Sequence, residues 1–403
     1  MTAGATLATA PLAVSLFHRI SLSGLLNNLW AVPATGVLLG VTSLALALSS
    51  LASPLAGIFI GGAGKAADLF LSVLHTAARF SWTTSFYPDT WEMILLYLGV
   101  GLVFWIWRMP RRWKTAVPVG VLLVSLAWIS HFLPRDLEIT FLDVGQGDSA
   151  LVRTHEGKTL LVDGGGFLIP GKGKPDFDVG EEVVVPFLKR SGVDHLDAVL
   201  LSHPHPDHYG GLEAVFRGMP VGEFWWNGQK FPDATFDALL AVVEEKGLPM
   251  KILKEGNTFD WNGLGVEVFY PDRINPARNI NDNSLVVRLT SGAVKILFTG
   301  DIEKEGEKRL SERLIQADIL KIPHHASRTS SSIPFMDTVR PSFAVASLGE
   351  KNMFGFPHPD ILERYERRGT RVFRTDRDGA VTLRVPRDFP RRPISSRTVF
   401  SPK

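Results

Sequence analysis

Apolar and polar positions follow one rule before about residue 134 and another after it. In the first part apolar residues run on without alternation, and residues 29–55 form a charge-free stretch long enough to cross a bilayer. Residues 93–107 and 116–133 are two further apolar runs separated by Arg108, Arg111, Arg112 and Lys114, which predicts a helical hairpin with a basic turn. Residues 54–80 are interrupted by Lys65, Asp68, His75 and Arg79 and read as an interfacial helix, a helix lining a polar cavity or a tilted span. In the second part short β-rich runs alternate with helical spacing. Strands are predicted at residues 138–144, 150–155, 159–162, 198–202, 266–270, 284–290, 294–299, 318–322, 343–348 and 381–385, and helices at 180–190, 236–246, 303–313 and 359–368. The early strands come as adjacent hairpins and not as strict βαβ units. That disfavours a doubly wound sheet and predicts an α/β domain of two sheets sandwiched by helices.

Composition sharpens this division. The chain is 45% hydrophobic, with the excess concentrated before residue 134, so we expect a membrane segment of three to four helices at 1–133, a soluble domain at 134–386 and a basic disordered tail at 387–403. Basic residues beside spans prefer the cytoplasm, which puts the 108–114 turn inside and everything after Pro134 outside the cell membrane. The expected location is therefore the inner or plasma membrane, multi-pass, with the soluble domain extracytoplasmic. Trp82, Trp91, Trp105, Trp107, Trp113 and Trp128 sit near predicted helix ends, as an interfacial aromatic belt requires. The first 30 residues lack a basic start and a clear cleavage site, so no cleavable signal peptide is expected. The absence of cysteine excludes disulfides and thiolate metal sites.

The chemistry concentrates at His203-Pro204-His205-Pro206-Asp207-His208, four metal-ligand side chains in six residues at the end of an apolar run. On an extended chain i and i+2 share a side, so His203 and His205 can grip one metal, while Asp207 and His208 lie past the strand end and can face a second. Imidazole and carboxylate suit Zn²⁺, Mn²⁺ or Fe. The two prolines stiffen the loop. Other ligand-type residues end predicted strands: Asp301 after the run Val294 to Gly300, where a carboxylate can bridge two metals, and His324-His325-Ala326-Ser327 after Ile319 to Pro323. Asp163 precedes three glycines, and His358 lies in a loop between prolines.

This set resembles the metallo-β-lactamase superfamily, whose HxHxDH loop is followed by a later Asp and a later His. More narrowly, Phe141 to Ser149, Leu201 to Gly211, Asn281 to Leu285, Thr299-Gly300-Asp301 and Lys321 to Ser327 resemble the C-terminal domain of the ComEC family of competence DNA-uptake channel proteins, over residues 138–385. Residues 1–133, with Leu7 to Leu12 and Ile20 to Leu29, are similar to the end of that family's channel domain, and the earlier part of a full-length member is expected to be absent. The resemblance implies the four-layer αββα metallo-β-lactamase fold and two divalent ions, Zn or Mn. His203, His205 and Asp301 would hold one, and Asp207, His208 and Asp301 the other. Where many superfamily members have a third histidine, this chain has Asn281-Asp282-Asn283-Ser284, so His325 or His358 must supply a ligand, His325 being favoured. Family members usually read His-His-Gly-Ser where this chain has Ala326, and alanine excludes a backbone conformation needing positive φ.

The implied activity is metal-assisted phosphodiester hydrolysis, most directly a nuclease degrading DNA during natural transformation, with Asp207, Asp301, Lys321 and His324 in the chemistry. Lys321 and the non-ligand histidine of the pair would contact a phosphate or protonate a leaving oxygen. Asp163 would orient a ligand imidazole or the bridging water, with Ser327 adding a hydroxyl nearby, and Asp143, Gln146 and Asp148 would shape the rim or a structural turn. Net charge is only +2, yet residues 364–403 carry twelve Lys or Arg against four Asp or Glu, a phosphate-attracting surface. The expected partners are single-stranded or duplex DNA, the membrane, and a channel partner or further copies of the chain, since four spans are few for a pore. Competing readings are a phosphodiesterase for a smaller substrate and a non-catalytic subunit of a transport channel.

Overall fold

The computed structural model describes residues 19–49, 53–79, 83–85, 90–107, 117–123, 136–166 and 177–399, together with Leu12 and Ser125. The chain divides into two compact units, Met1–Leu133 and Pro134–Lys403.

In the first unit, helices Leu22–Ser49 and Ser53–Arg79 pack on each other, with the rings of Trp30 and Phe70 5.6 Å apart. Strands Arg19–Ser21 and Thr83–Ser85 pair antiparallel, and a third long helix spans Thr90–Trp107. Three to four spans were expected. Among the described residues, one helix is long and apolar enough to cross a membrane, Trp30–Ala47, and Met93–Leu102 is a shorter apolar helix. Leu39 and Leu46 on the first are largely exposed within the unit, which suits contact with lipid. The helix Ser53–Arg79 differs because Lys65, Asp68, His75 and Arg79 fall along it. The basic turn 108–114, the tryptophans at 82, 113 and 128 and most of the 116–133 run lie outside the described residues, residues 117–123 being helical.

The second unit holds two sheets. The elements are β1 (Leu137–Phe141), β2 (Ala150–Arg153), β3 (Thr159–Val162), α1 (Val185–Arg190, entered through a wide turn Gly180–Val184), β4 (Leu196–Leu201), α2 (Pro206–Tyr209), α3 (Leu212–Gly218), β5 (Val221–Trp226), α4 (Ala234–Glu245), β6 (Met250–Ile252), β7 (Thr258–Trp261), β8 (Leu264–Tyr270), β9 (Val286–Ser291), β10 (Val294–Phe298), α5 (Lys304–Ser311), β11 (Ile319–Lys321), α6 (Ile333–Val339), β12 (Phe343–Ala346), α7 (Pro359–Glu366), β13 (Arg371–Arg374), β14 (Ala380–Val385) and β15 (Ser395–Val399). One sheet runs β15-β14-β1-β2-β3-β4-β5-β6 and the other β13-β12-β11-β10-β9-β8-β7.

Alternation along the strands builds the layers. In β4, Ala198 and Leu200 join the core between the sheets, while Val199 and Leu201 point to the outer cluster with Leu188 of α1, Val215 of α3 and Leu239 of α4. In the second sheet Ile296, Ile319 and Val345 face inward, and Leu297, Leu320 and Ala344 pack under Leu310 of α5, Phe335 of α6 and Ile361 of α7. The result is the helix–sheet–sheet–helix order of the metallo-β-lactamase fold. Strands β3 to β6 are mutually parallel, as are β10 to β13, so their carboxyl ends lie together at one end of each sheet. The inner ones, such as β3, β4, β10 and β11, are largely buried on both faces and read as mostly apolar runs in sequence.

The tail expected to be disordered from residue 387 is ordered through Val399. Ser395–Val399 adds antiparallel to β14 and so covers its edge, and Phe389 and Ile394, two apolar residues within a basic stretch, pack against the inner core. Residues 400–403 lie outside the described residues.

Candidate metal centre

Most residues of the centre sit just past the carboxyl end of a strand: Asp163 after β3, His203 to His208 after β4, Asp301 after β10, His325 after β11 and Ser347 after β12. The β4 loop is closed down by glycines of the β3 loop. Gly164 N donates to His208 O at 2.6 Å, Gly211 N to Gly165 O at 3.0 Å and Gly165 N to Asp148 O at 2.7 Å. Gly166 has φ +145° and any side chain there would strike the Pro206 carbonyl, so only glycine permits this approach.

Donor atoms of Asp207, His208, Asp301 and His325 all lie within 4.8 Å of one another, and all four residues are buried. His208 Nε2 is 3.3 Å from Asp301 Oδ2, and His325 Nε2 is 3.2 Å from Asp301 Oδ2 and 3.4 Å from Asp207 Oδ2. His203 is fully buried with its ring 4.2 Å from that of His208, and the half-buried His205 lies 4.8 Å from His203, edge-on to Phe231.

The proton positions follow from the neighbours. Asp163 Oδ2 accepts from His208 Nδ1 at 2.9 Å, and its carboxylate also takes Ser202 N at 2.7 Å and Ser202 Oγ at 2.8 Å. With its proton given to Asp163, Ser202 Oγ is left to accept from His203 Nδ1 at 3.1 Å. The Ser347 carbonyl accepts from His325 Nδ1 at 2.7 Å. All three imidazoles therefore carry hydrogen on Nδ1, and none of their buried Nε2 atoms makes a hydrogen bond, nor do Asp207 Oδ1 and Asp148 Oδ1. The lone pairs of His208, His325 and Asp207, clustered beside Asp301, are the donor set of a divalent cation such as Zn²⁺ or Mn²⁺, and His203 and His205 are not among these clustered donors.

Charge gives the same answer. Asp148, Asp163, Asp207 and Asp301 are buried together against one ammonium, Lys321, an arrangement that requires added positive charge. Without metal it is met by protons. Burial opposes the imidazolium of His208, but Asp301, Asp163 and Asp207 outweigh it and hold it well above its ordinary range; for His325 burial is likewise outweighed, by Asp301 and Asp148, and the ring is pushed up to about 10. Burial raises the Asp163 carboxyl, whereas Asp301 is held well below the usual carboxylate range because His325, His208 and Lys321 overcome its burial.

Lys321, expected at a substrate phosphate, lies instead beneath the carboxylates and is 3% exposed. Its Nζ donates to Asp148, to Gly300 O at 3.2 Å and to Asp301 Oδ1 at 3.3 Å. All its hydrogens are used in holding these groups. Asp148 also lies 3.7 Å from His208 Nδ1 and 3.5 Å from His325 Nδ1, inside the cluster and not on a rim. Gln146 Oε1 accepts from Gly349 N at 3.3 Å, and Asp143 Oδ1 accepts from Gly145 N at 3.4 Å within its own turn. His324 stands at the mouth, Nδ1 3.0 Å from Thr329 Oγ1 and 3.2 Å from Glu303 Oε1. Its hydrogen bond, the largest influence on Glu303, keeps that carboxyl below its ordinary range. Ser327 shares a hydrogen bond with the same threonine at 3.0 Å. His358 is not among the clustered donors; it caps α7, half-buried, its ring 5.6 Å from Phe356. The segment 281–284 is structural, with the Asp282 carboxylate accepting Glu303 N and Gly306 N at the start of α5 and Ser284 Oγ accepting Asp301 N.

One expectation is overturned. Ala326 has φ +63°, following His324 at +47° and His325 at +53°, so alanine occupies the conformation it was expected to exclude. The turn is held from outside: Pro323 O accepts Ser330 Oγ, and Ala326 O accepts His358 N at 3.1 Å. Asp163 has φ +58°, so the strained residues of this region gather at the centre. For Ala326→Gly, relief of about 1–2 kcal/mol of left-handed strain is set against about 0.8 kcal/mol for one buried methyl and about 0.5–1 kcal/mol of glycine entropy. Its denaturation midpoint is expected to stay within about 1 kcal/mol of the parent, in contrast to the loss seen when a buried alanine at ordinary φ is removed.

Ser202, Glu303, Thr329 and the Ser347 carbonyl were not foreseen. Only Ser202 carried a signal, standing directly before His203 at the strand end.

A family model described as the metallo-beta-lactamase superfamily matches residues 142–335, and one described as competence protein matches residues 1–110. The chain is similar to ComE operon protein 3 of Bacillus subtilis strain 168, 28% identical over 393 residues that cover 94% of this chain and 50% of that one. It is 32% identical over 301 residues to competence protein ComA of Neisseria gonorrhoeae, 73% of this chain and 37% of that one. It is also 27% identical over 165 residues to ribonuclease J of Mycobacterium tuberculosis, 39% of this chain and 26% of that one. The chain thus spans half or less of the length of these relatives.

Proposed function

The chain belongs to the ComEC-type competence family, a competence domain followed by a metallo-beta-lactamase domain, and from that premise we propose that it is a membrane-anchored, two-metal phosphodiesterase that degrades DNA during uptake. The observation that carries the reading is the buried cluster of donor atoms from Asp207, His208, Asp301 and His325, in which His208 Nε2, His325 Nε2 and Asp207 Oδ1 make no hydrogen bond. Similarity to ribonuclease J over 165 residues adds support for phosphodiester chemistry on this domain.

In the proposed centre His203, His205 and Asp301 would hold one ion, and Asp207, His208, His325 and Asp301 would hold the other. When bound, divalent ions supply Lewis-acid stabilisation of phosphoryl charge and activate water near neutral pH. The chain's own groups do the rest. Asp163, Ser202 and the Ser347 carbonyl fix three imidazoles through their Nδ1 atoms, and Lys321 bridges Asp148 and Asp301 and offsets their mutual repulsion. His324, paired with Glu303, is the group at the mouth able to give a proton to a leaving oxygen. The first unit, with Trp30–Ala47 as a span, anchors the hydrolase on the extracytoplasmic side of the inner or plasma membrane.

The test is cleavage of labelled single-stranded and duplex DNA by the full chain in detergent, with Mn²⁺ or Zn²⁺ added or stripped. Metal-dependent cutting is expected; hydrolysis of bis-p-nitrophenyl phosphate with DNA left intact would replace DNA by a small phosphodiester. A narrower expectation concerns Asp163→Asn, which keeps the shape but loses the charge that orients His208. Its metal affinity is expected to fall roughly ten- to a hundredfold in a chelator competition.

A further inference from the structure

Between β12 and α7 the chain makes a loop whose aromatic rings continue outward from the metal centre. The Phe356 ring lies over that of His325, 6.3 Å away and 26° from parallel, and Phe354 lies over Phe356 at 5.5 Å and 20°. His324 and His358 close the edges of Phe356 at 5.7 Å and 5.6 Å. A ladder of near-parallel rings thus begins at a clustered histidine and ends at Phe354, which is 40% exposed, beside Met353 at 78%. A ladder serving only the core would bury its last ring.

The loop is also pinned. Asn352 Nδ2 donates to Gly349 O at 2.9 Å and to Phe356 O at 2.7 Å, while its Oδ1 accepts Phe356 N at 3.0 Å. Gly349 N reaches Gln146 and His358 N reaches Ala326 O, so both ends are tied to segments of the centre. The rings are therefore held in place before any ligand arrives, which removes much of the ordering cost of binding. Phe356 is covered on both faces, by His325 and by Phe354, and acts as backing, whereas the exposed ring of Phe354 beside the proposed phosphoryl-transfer centre matches an unpaired nucleobase, whose two faces are open; in a duplex those faces are covered by neighbouring base pairs.

Building on the phosphodiesterase reading above, we infer that Phe354, backed by Phe356, forms a stacking subsite for the nucleobase next to the scissile phosphate, so that the centre takes unpaired strands in preference to duplex. The subsite is tolerant of sequence, because stacking uses the ring face that every base has.

The experiment compares kcat/KM of the full Mn²⁺-loaded chain on a short labelled strand and on the same strand made abasic at the nucleotide flanking the cut. The parent is expected to favour the intact strand by roughly tenfold or more, the range of base–aromatic stacking. In Phe354→Ala that preference falls toward unity, and Phe354→Trp retains it. Because each variant is read as a ratio between two strands, partial misfolding cancels. A parent indifferent to the missing base, or Phe354→Ala keeping the parent's ratio, overturns the subsite and leaves the rings as a contact for lipid or another protein. A parent that cuts neither strand while metal is bound removes the phosphodiesterase reading, and the subsite with it.

Discussion

Asp207→Ala is expected to remove phosphodiester hydrolysis, by about a thousandfold or more, while the domain stays folded and bound metal falls. The loss is set by what the side chain does. Its Oδ2 faces His325 Nε2 at 3.4 Å, and its Oδ1 is buried without a hydrogen bond, so neither oxygen holds the fold together. The loop's architecture rests on the backbone: Asp207 O accepts Asp148 N at 3.1 Å, and α2 begins with Pro206, both untouched by alanine. Removing one carboxylate deletes a ligand from the set and the negative charge that faces the cation, and the several kcal/mol of charge stabilisation that a bound ion gives a phosphoryl group converts to a rate factor of that order. Metal content by elemental analysis, thermal melting and hydrolysis rate on one preparation separate the outcomes. Full activity in Asp207→Ala would dismiss this centre; loss of activity together with loss of the folded transition would say that the loop needs the carboxylate for its structure.

Much of this centre was legible because its signals are local. Four ligands in six residues after β4 need no tertiary information, and strand-end Asp163, Asp301 and His325 stand out because parallel strands buried on both faces read as apolar runs that stop abruptly. What could not be read is whatever depends on partners far away in sequence. Lys321 looked like a phosphate ligand because a lysine at a strand end near histidines is chemically suited to one. Only the arrival of Asp148 beside it, from the turn after β1, turns it into a buried counter-ion. Ala326 could not be predicted at φ +63° since alanine disfavours it locally and the His358–Ala326 hydrogen bond holds the turn from outside. Two of the strands that escaped notice have the same cause. In β6 every side chain is exposed, and β13 is two arginines around Val372 and Phe373, so neither shows a clear apolar pattern of its own. They are strands because β5 and β12 offer open edges to pair with. The aromatic ladder belongs to this class too: Phe354-Gly355-Phe356 in sequence is an ordinary loop, and its meaning comes from lying over His325.

Metal uptake by this centre is expected to strengthen steeply with pH, up to about a hundredfold per unit over the neutral range. In the metal-free protein His325 is pushed up to about 10 and His208 also stands well above its ordinary value, so both imidazoles carry a proton at pH 7 on the nitrogen a metal must use. Each proton displaced contributes about tenfold in affinity per pH unit, and two displaced protons give the square of that. The same protons stabilise the metal-free fold, and the sign follows from the direction of the shifts. A histidine raised on folding contributes fully below its unfolded value of about 6.5 and loses that contribution as pH rises through the folded value, for His325 about 10. Asp301, held low by His325 and its neighbours, works in the opposite direction and loses its contribution only in acid. The metal-free chain is therefore expected to melt at progressively lower temperature from pH 6.5 toward 9. The loaded chain, whose imidazoles have exchanged protons for metal, is not, and the gain in Tm on adding Zn²⁺ or Mn²⁺ widens as pH rises. Calorimetric titration in two buffers of different ionisation enthalpy counts the protons directly. Release near two per loaded centre at pH 7 fits both histidines as ligands, one would leave only one of them in that role, and none, with a pH-independent gain in Tm, would show that the cation these carboxylates need is supplied in some other way.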